Sequence, residues 1–116
     1  MTTDRPNLLG ALARVYVDDL DAALPLYQEL TDEEPHTFAF RSLRLAKIGL
    51  FLLIEGADEE VRSHAATIAV RDIDQVARTV ESAGGTVVEG PASGPTGPRL
   101  IARHPDGSVL EYIQLA

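Results

Sequence analysis

The sequence contains no cysteine among its 116 residues. This absence excludes a disulfide framework, a thiolate zinc site and a thiol nucleophile. The sequence also has no apolar run near the roughly 20 residues that a membrane-spanning helix needs. Its first ten residues, MTTDRPNLLG, lack the basic flank and long apolar stretch of a secretory signal. We therefore expect a soluble cytoplasmic protein with no membrane partner.

Basic residues are scarce as well. Ten Lys and Arg stand against 18 Asp and Glu, which gives a formal charge of -8. Because nucleic-acid binding depends on clustered Lys and Arg, we expect no nucleic-acid partner. The acidic excess could favour a cationic ligand, although many soluble domains carry such a charge for solubility alone. The length suits one domain, residues 1–116, that buries most of its apolar surface without metal or disulfides.

An internal repeat organises the chain. Residues 11–27, ALARVYVDDLDAALPLY, align with residues 64–80, HAATIAVRDIDQVARTV, at an offset of 53. Each copy predicts a strand, an aspartate as helix N-cap (Asp19 or Asp72), and an amphipathic helix with apolar residues at i, i+3, i+4 and i+7. Pro25 interrupts the first helical pattern, so we expect that helix to kink or end early.

Short strand patterns follow each predicted helix. The sequence thus predicts an α+β fold of two βαβββ modules, residues 8–55 and 64–115, joined by a polar linker at 56–63. Residues 90–98, GPASGPTGP, are rich in glycine and proline and are expected to form a surface loop or a flap over a site. The predicted short strands are 36–40, 43–47 and 50–54 in the first module and 86–89, 99–103 and 109–114 in the second.

The closing segment HPDGSVLEYIQ, residues 104–114, places Glu111 in an otherwise apolar strand, where an unpaired carboxylate is costly to bury. With the paired modules and the segments VYVDDLDAALPLY and IAVRDIDQVARTV, it resembles the vicinal oxygen chelate superfamily, also called the glyoxalase, bleomycin-resistance and dioxygenase superfamily. The resemblance covers nearly the entire chain. It implies a curved mixed sheet around a cup and, in metal-dependent members, a divalent ion held by one residue from each of four strands. Glu111 matches the acid of the last strand.

The other three ligand positions implied by the resemblance do not match. They fall on Leu12, on Ala65, and on Phe51 or Leu53, none of which can bind a metal. One carboxylate in four positions does not make a metal site. We therefore expect no cofactor, with a divalent metal as the alternative.

Two further residues could supply ligands if a metal is bound after all. Glu55 shares its predicted strand face with the apolar ligand position and lies where that strand ends, near solvent. His64 neighbours Ala65, but successive strand side chains point to opposite faces, so we interpret it as a linker histidine outside the cup. In this alternative Glu111 and Glu55 are the candidate metal ligands.

Strict alternation of side chains predicts a cup lined by apolar residues with a few polar groups, which is typical of a small-molecule pocket. The alternative is a cup filled by its own side chains or closed by a partner subunit. We expect Arg14 to pair with Glu111, since a guanidinium can meet a carboxylate with two parallel hydrogen bonds. The predicted ligand-binding residues are Leu12, Arg14, Tyr16, Phe51, Leu53, Thr67 and Glu111.

Three classes of function fit these observations. The first and favoured class is a metal-free small-molecule-binding protein, of the kind that sequesters an antibiotic or metabolite in this superfamily. The second is a metal-dependent lyase, epimerase or dioxygenase, which only Glu111 supports; Glu111 is also the one candidate catalytic residue, as a general base. The third is a structural or interaction module.

Sheet edges and apolar lining in need of cover predict a homodimer with clefts near the subunit interface.

Overall fold

The computed structural model of the chain describes residues 6–115, which form eight strands and three helices. No helix in this part of the chain is long and apolar enough to cross a membrane. In chain order the elements are β1 (Leu8–Val17), α1 (Leu20–Thr31), β2 (His36–Phe40), β3 (Leu43–Ile48), β4 (Phe51–Glu55), α2 (Glu59–Arg62), β5 (Thr67–Val70), α3 (Ile73–Ser82), β6 (Thr86–Gly94), β7 (Gly97–Arg103) and β8 (Val109–Gln114).

All eight strands belong to one mixed sheet in the order β2-β3-β4-β1-β5-β8-β7-β6. Within each module the first and last strands pair in parallel, β1 with β4 and β5 with β8. The modules join through the antiparallel pair β1 and β5, where Leu12 faces Thr67. The predicted α+β fold of two βαβββ modules around a curved mixed sheet is confirmed.

The two long helices begin where the sequence predicts. The Asp19 carboxylate accepts from the backbone N–H of Ala22 at 3.3 Å, at the start of α1. At the start of α3, Asp72 Oδ1 accepts from the N–H groups of Asp74 and Gln75 at 3.0 and 3.2 Å. Each aspartate satisfies donors that have no partner inside the helix, which stabilises the first turn.

The expected early end of α1 at Pro25 is wrong, because the helix continues through Pro25 to Thr31. Proline removes one hydrogen bond, but the apolar face of α1 packs with its buried Leu20 and with Tyr27 against the sheet. Most helical stability in proteins comes from such packing of an apolar face. Pro25 itself lies on the exposed side of α1.

The two segments between predicted strands also differ from expectation. Residues 90–98 are not a loop, since β6 extends to Gly94 and β7 starts at Gly97, leaving Pro95 and Thr96 as the turn of a long hairpin. Proline is tolerated at 91 because β6 is an edge strand and its pairing is shifted between residues 89 and 92. The polar linker 56–63 contains the short helix α2.

Side chains of the sheet pack on two faces. On the convex face α1 covers the first module and α3 covers the second. The concave face carries its own apolar cluster, which includes Leu12, Leu52 and Ile113 and therefore draws on both modules. This concave face is the cup that the fold class implies.

The predicted placement of Phe51 and Leu53 in the cup is wrong. Both pack under α1, where the Phe51 ring meets Tyr27 edge-on with centroids 5.0 Å apart. Since alternate side chains of a strand face opposite sides, Leu52 and Ile54 are the β4 residues that face the cup. The prediction was displaced by one residue along an entirely apolar strand.

Candidate ligand-binding cup

Two adjoining cavities open on the concave face, and they share Phe40, Leu45, Arg99 and Glu111 as lining residues. The smaller cavity, about 40 Å³, has largely apolar walls and is bordered by the tip of the β6–β7 hairpin. The larger, about 180 Å³, extends towards α2 and is lined by charged side chains as well as apolar ones; we call it the polar cavity. The apolar walls are formed by Leu12, Phe38, Phe40, Leu45, Leu52 and Ile113.

The predicted pair of Arg14 and Glu111 is present at the floor of the cup. Arg14 Nη2 lies 3.0 Å from Glu111 Oε1, and the two side chains are only 7% and 13% exposed. Strand register explains the meeting, because Leu12 pairs with Thr67 and Thr67 with Glu111 across β1, β5 and β8. Arg14 lies two residues further along β1, on the same face as Leu12.

Arg14 is held by several partners besides Glu111. Its Nε donates to Thr67 Oγ1 at 2.9 Å, and its Nη1 donates to the Val61 carbonyl at 2.8 Å and to the Tyr16 hydroxyl at 3.2 Å. Thr67 in turn donates to Glu111 Oε1 at 2.9 Å. This network uses four of the five donors of the guanidinium and fixes its orientation.

Arg99 is a central residue of the cup that sequence reasoning missed. Its Nε donates to Glu111 Oε2 at 3.0 Å, and its Nη1 donates to Glu89 Oε2 at 2.9 Å. Arg41 also binds Glu89, so that five side chains of alternating sign cross the cup floor. We call this series the charge chain: Arg14, Glu111, Arg99, Glu89 and Arg41. The available signal was Arg99 itself, an arginine that alternates with Ile101 and directly precedes the apolar residues 100–102 of β7.

Arg14, Glu111 and Arg99 are the buried part of the charge chain, whereas Arg41 at its end is 62% exposed. The Phe40 ring lies 4.7 Å from the Arg41 guanidinium and 4.8 Å from that of Arg99. Burial alone would raise the pKa of Glu89, but hydrogen bonds from Arg99 and Arg41 hold that pKa below its ordinary value of 4.5. Glu89 is therefore ionised at neutral pH.

His64 lines the polar cavity, so the prediction that it stays outside the cup is wrong. It lies in the turn between α2 and β5, before the strand begins at Thr67, and strand alternation does not apply to it. Its side chain makes no hydrogen bond with any of residues 6–115. Burial lowers the pKa of His64, and the positive charge of Arg14 lowers it further, which favours the neutral imidazole.

Glu55 is not available to the cup. Its Oε1 accepts from the backbone N–H of Leu20 at 2.8 Å, at the N-terminus of α1 on the convex side, and lies 3.4 Å from Arg44 Nη1. The reason is the same displacement along β4, since Glu55 shares a face with Leu53. The alternative in which Glu55 joins Glu111 as a metal ligand is therefore wrong. Of the predicted ligand-binding residues, the structure gathers Leu12, Arg14, Tyr16, Thr67 and Glu111 at the concave face.

In the part of the chain that the structure describes, few side chains near Glu111 are donors suited to a divalent metal. Both Glu111 oxygens already accept from guanidinium groups, and the neighbouring position Leu12 is apolar. On β4 the residues facing the cup are Leu52 and Ile54, which cannot bind a metal either. Within residues 6–115, no group of three or more His, Cys, Asp or Glu side chains could hold a metal ion.

The class of protein defined by this structure is one in which two βαβββ modules form a single curved sheet, with charged side chains on the floor of its concave face. The chain belongs to the Glyoxalase/Bleomycin resistance protein/Dioxygenase superfamily, whose model matches residues 9–112. Comparison with curated proteins gives no match.

Solved structures share this fold. An uncharacterized protein from Methanosarcina mazei is 35% identical with a TM-score of 0.86, over 96% of this chain and 95% of that one. Methylmalonyl-CoA epimerase from Mycobacterium tuberculosis is 18% identical with a TM-score of 0.74, over 99% of this chain and 93% of that one. The Streptomyces coelicolor methylmalonyl-CoA epimerase is 20% identical with a TM-score of 0.70, over 94% and 96%. The two epimerases are similar to this chain in fold alone.

Proposed function

We propose that this chain is a small-molecule-binding protein whose cup works without a bound metal. One observation carries the proposal: the carboxylate at the superfamily's ligand position, Glu111, is held by Arg14 and Arg99 at 3.0 Å each. A divalent cation at Glu111 would face two guanidinium groups at close range, and it would find apolar side chains where imidazoles or carboxylates are required. Sequestration of an antibiotic or metabolite is the role that this proposal favours.

The shape of the cup supports a small ligand. The polar cavity of about 180 Å³ is of the size that holds a benzene-sized molecule, for which about 150 Å³ suffices. It adjoins apolar walls that supply contact area, while Arg99 and His64 supply polar groups that can orient a ligand. The predicted site residues Leu12, Arg14, Tyr16, Thr67 and Glu111 are proposed to form this site.

The alternative is a metal-dependent lyase, epimerase or dioxygenase, with Glu111 as ligand and general base. The position of Glu111 in the last strand favours it, as does the fold shared with the two epimerases. In this alternative a metal must displace both arginines from the Glu111 carboxylate. The two proposals therefore differ in what metal loading does to the protein.

Metal loading tests the proposal directly. The purified protein is incubated with Mn²⁺, Co²⁺, Ni²⁺ or Zn²⁺, desalted and measured by elemental analysis, next to Glu111→Ala. We expect far less than one equivalent per chain, and the same residual amount in both proteins, because any bound ion would lie at surface carboxylates or histidines. One equivalent that Glu111→Ala removes would establish the metal-dependent alternative.

The oligomeric state and the cellular location of the protein remain predictions. We propose a homodimer, because the edge strands β2 and β6 leave backbone groups unpaired and Leu26 and Leu30 of α1 are 58% and 63% exposed. The described residues of one chain supply both cavities of the cup, so the cup itself does not depend on the pairing. A cytoplasmic location is likewise proposed from the sequence alone.

A further inference from the structure

We propose that the ligand of the cup is an amphipathic anion, with an anionic head between Arg99 and Lys47 and an apolar body that starts between the walls of the smaller cavity and extends past Phe40 into the larger one. This inference rests on the proposed function, because it names the class of small molecule that the cup would take. It follows from a comparison of how the charged side chains of the cup are already engaged.

The acid in the apolar cavity is already largely engaged, with three of its roughly four acceptor sites in use. Glu111 is the single carboxylate among the residues that line this cavity. Its Oε1 accepts from Arg14 and Thr67, and its Oε2 accepts from Arg99. A cationic ligand would meet a carboxylate whose charge is already offset by Arg14 and Arg99 at 3.0 Å each, and both guanidinium groups would repel it.

The two cations of the same cavity do have capacity left. Arg99 uses its Nε and one N–H of Nη1, so that three of its five guanidinium N–H groups, including both on Nη2, have no partner within residues 6–115. The Lys47 side chain makes no hydrogen bond or ion pair with any residue in the same range, although it is half-buried on the cup face of β3. Both line the apolar cavity.

The placement of these cations favours an anion over a neutral polar group. Arg99 is only 7% exposed, and a guanidinium with unused donors in an apolar cavity gains most from a charged acceptor. Leu12, Leu52 and Ile113 surround the same space and can contact only an apolar body. The acids Asp58 and Glu60 border the polar cavity alone, where both are exposed to solvent.

Matched probes separate charge from shape. Binding of 3-phenylpropanoate, 3-phenylpropanamide and 3-phenylpropylamine is measured by calorimetry and ligand-observed NMR, together with octanoate, octanamide and octylamine. Within at least one series we expect the carboxylate to bind about tenfold or more tightly than both matched partners, as one charge-assisted hydrogen bond allows. Higher salt should weaken the carboxylate and leave the amide unchanged.

Variants then locate the anionic head. Lys47→Met keeps the apolar stem and removes the charge, so we expect carboxylate affinity to fall about fivefold or more, and Lys47→Arg to restore it. Arg78→Met removes one cation from α3, away from the cup, and serves as the matched control with unchanged affinity. Circular dichroism confirms that each variant is folded before binding is compared.

The outcomes distinguish this inference from the function on which it rests. If the amide or the amine binds as tightly as the carboxylate, and Phe40→Ala weakens it, the cup binds small molecules and the anion inference is overturned. Equal carboxylate affinity in Lys47→Met and Arg78→Met also overturns it. If none of the six probes binds at millimolar concentration, both the inference and the proposed function fail.

Discussion

Replacing Arg14 by methionine tests whether the charge chain is part of the folded structure's stability or serves only a ligand. Methionine keeps the length and much of the apolar stem, and removes the guanidinium. The loss includes the ion pair with Glu111 at 3.0 Å and the hydrogen bond to the Val61 carbonyl at 2.8 Å. Because the side chain is 7% exposed, water cannot replace these partners without entering the cup.

The expected loss of stability depends on the hydrogen bonds that Glu111 retains in the variant. Breaking a buried ion pair by removing one partner typically costs about 3–5 kcal/mol. In Arg14→Met the Glu111 carboxylate still accepts from Arg99 and Thr67, so we place the expected cost at the lower end, about 3 kcal/mol. Urea unfolding followed by circular dichroism measures this difference as a lower midpoint at unchanged slope.

A double variant identifies the cause. Arg14→Met combined with Glu111→Gln should cost about 1–2 kcal/mol less than the sum of the single variants, because it leaves no charge that lacks its partner. The control is Arg44→Met, whose guanidinium is 51% exposed and 3.4 Å from its two acids, and which should cost less than about 1 kcal/mol. A cost below about 1 kcal/mol for Arg14→Met, or additive single variants, would refute a structural role for the pair.

Two further predictions concern His64 and Pro25. The His64 ring should titrate by NMR with a midpoint below its ordinary 6.5, because burial and then Arg14 disfavour the imidazolium, and Arg14→Met should raise the midpoint only in part. As pH falls, the His64 imidazole is protonated in the unfolded chain before it is protonated in the folded one. His64 should therefore lower the free energy of unfolding as pH falls below 6.5 and have no effect above it. An NMR midpoint above 6.5 would contradict the described environment. Pro25→Ala should raise the free energy of unfolding by about 1–2 kcal/mol, because it restores a helical N–H on the exposed face of α1, less than the full proline penalty since proline also restricts the unfolded chain. An unchanged or lower urea midpoint would show that α1 has adapted to the proline.

The fold could be predicted because its signals are local and repeated. The aspartate cap and the apolar stripe of the helix occur in both modules, at positions 53 residues apart. The phase of β8 was also readable, because Glu111 marks one face of that strand. In β4 the residues Phe51 to Ile54 are all apolar, so alternation carries no information about which of them face the cup. The site residues assigned on β4 were wrong for this reason.

The rest of the cup depends on contacts that are distant in sequence or lie outside regular strands. Arg99 meets Glu111 because Ile101 pairs with Glu111 across β7 and β8, a register that no short motif encodes. His64 enters the cup from a turn, where period-2 alternation gives no direction. Such residues become visible only when the sheet is assembled.

The distribution of the apolar clusters places the cup at the interface between the two modules. One cluster, under α3, uses only residues of the second module, and another, under α1, uses only residues of the first. The cluster at the cup floor is the shared one, with Leu12 and Leu52 from one module and Ala69 and Ile113 from the other. Arg14 and Glu111 cross the same seam. A molecule bound there contacts both modules, so its binding free energy stabilises the interface between them. A motion that separates β1 from β5 would therefore require the molecule to dissociate first.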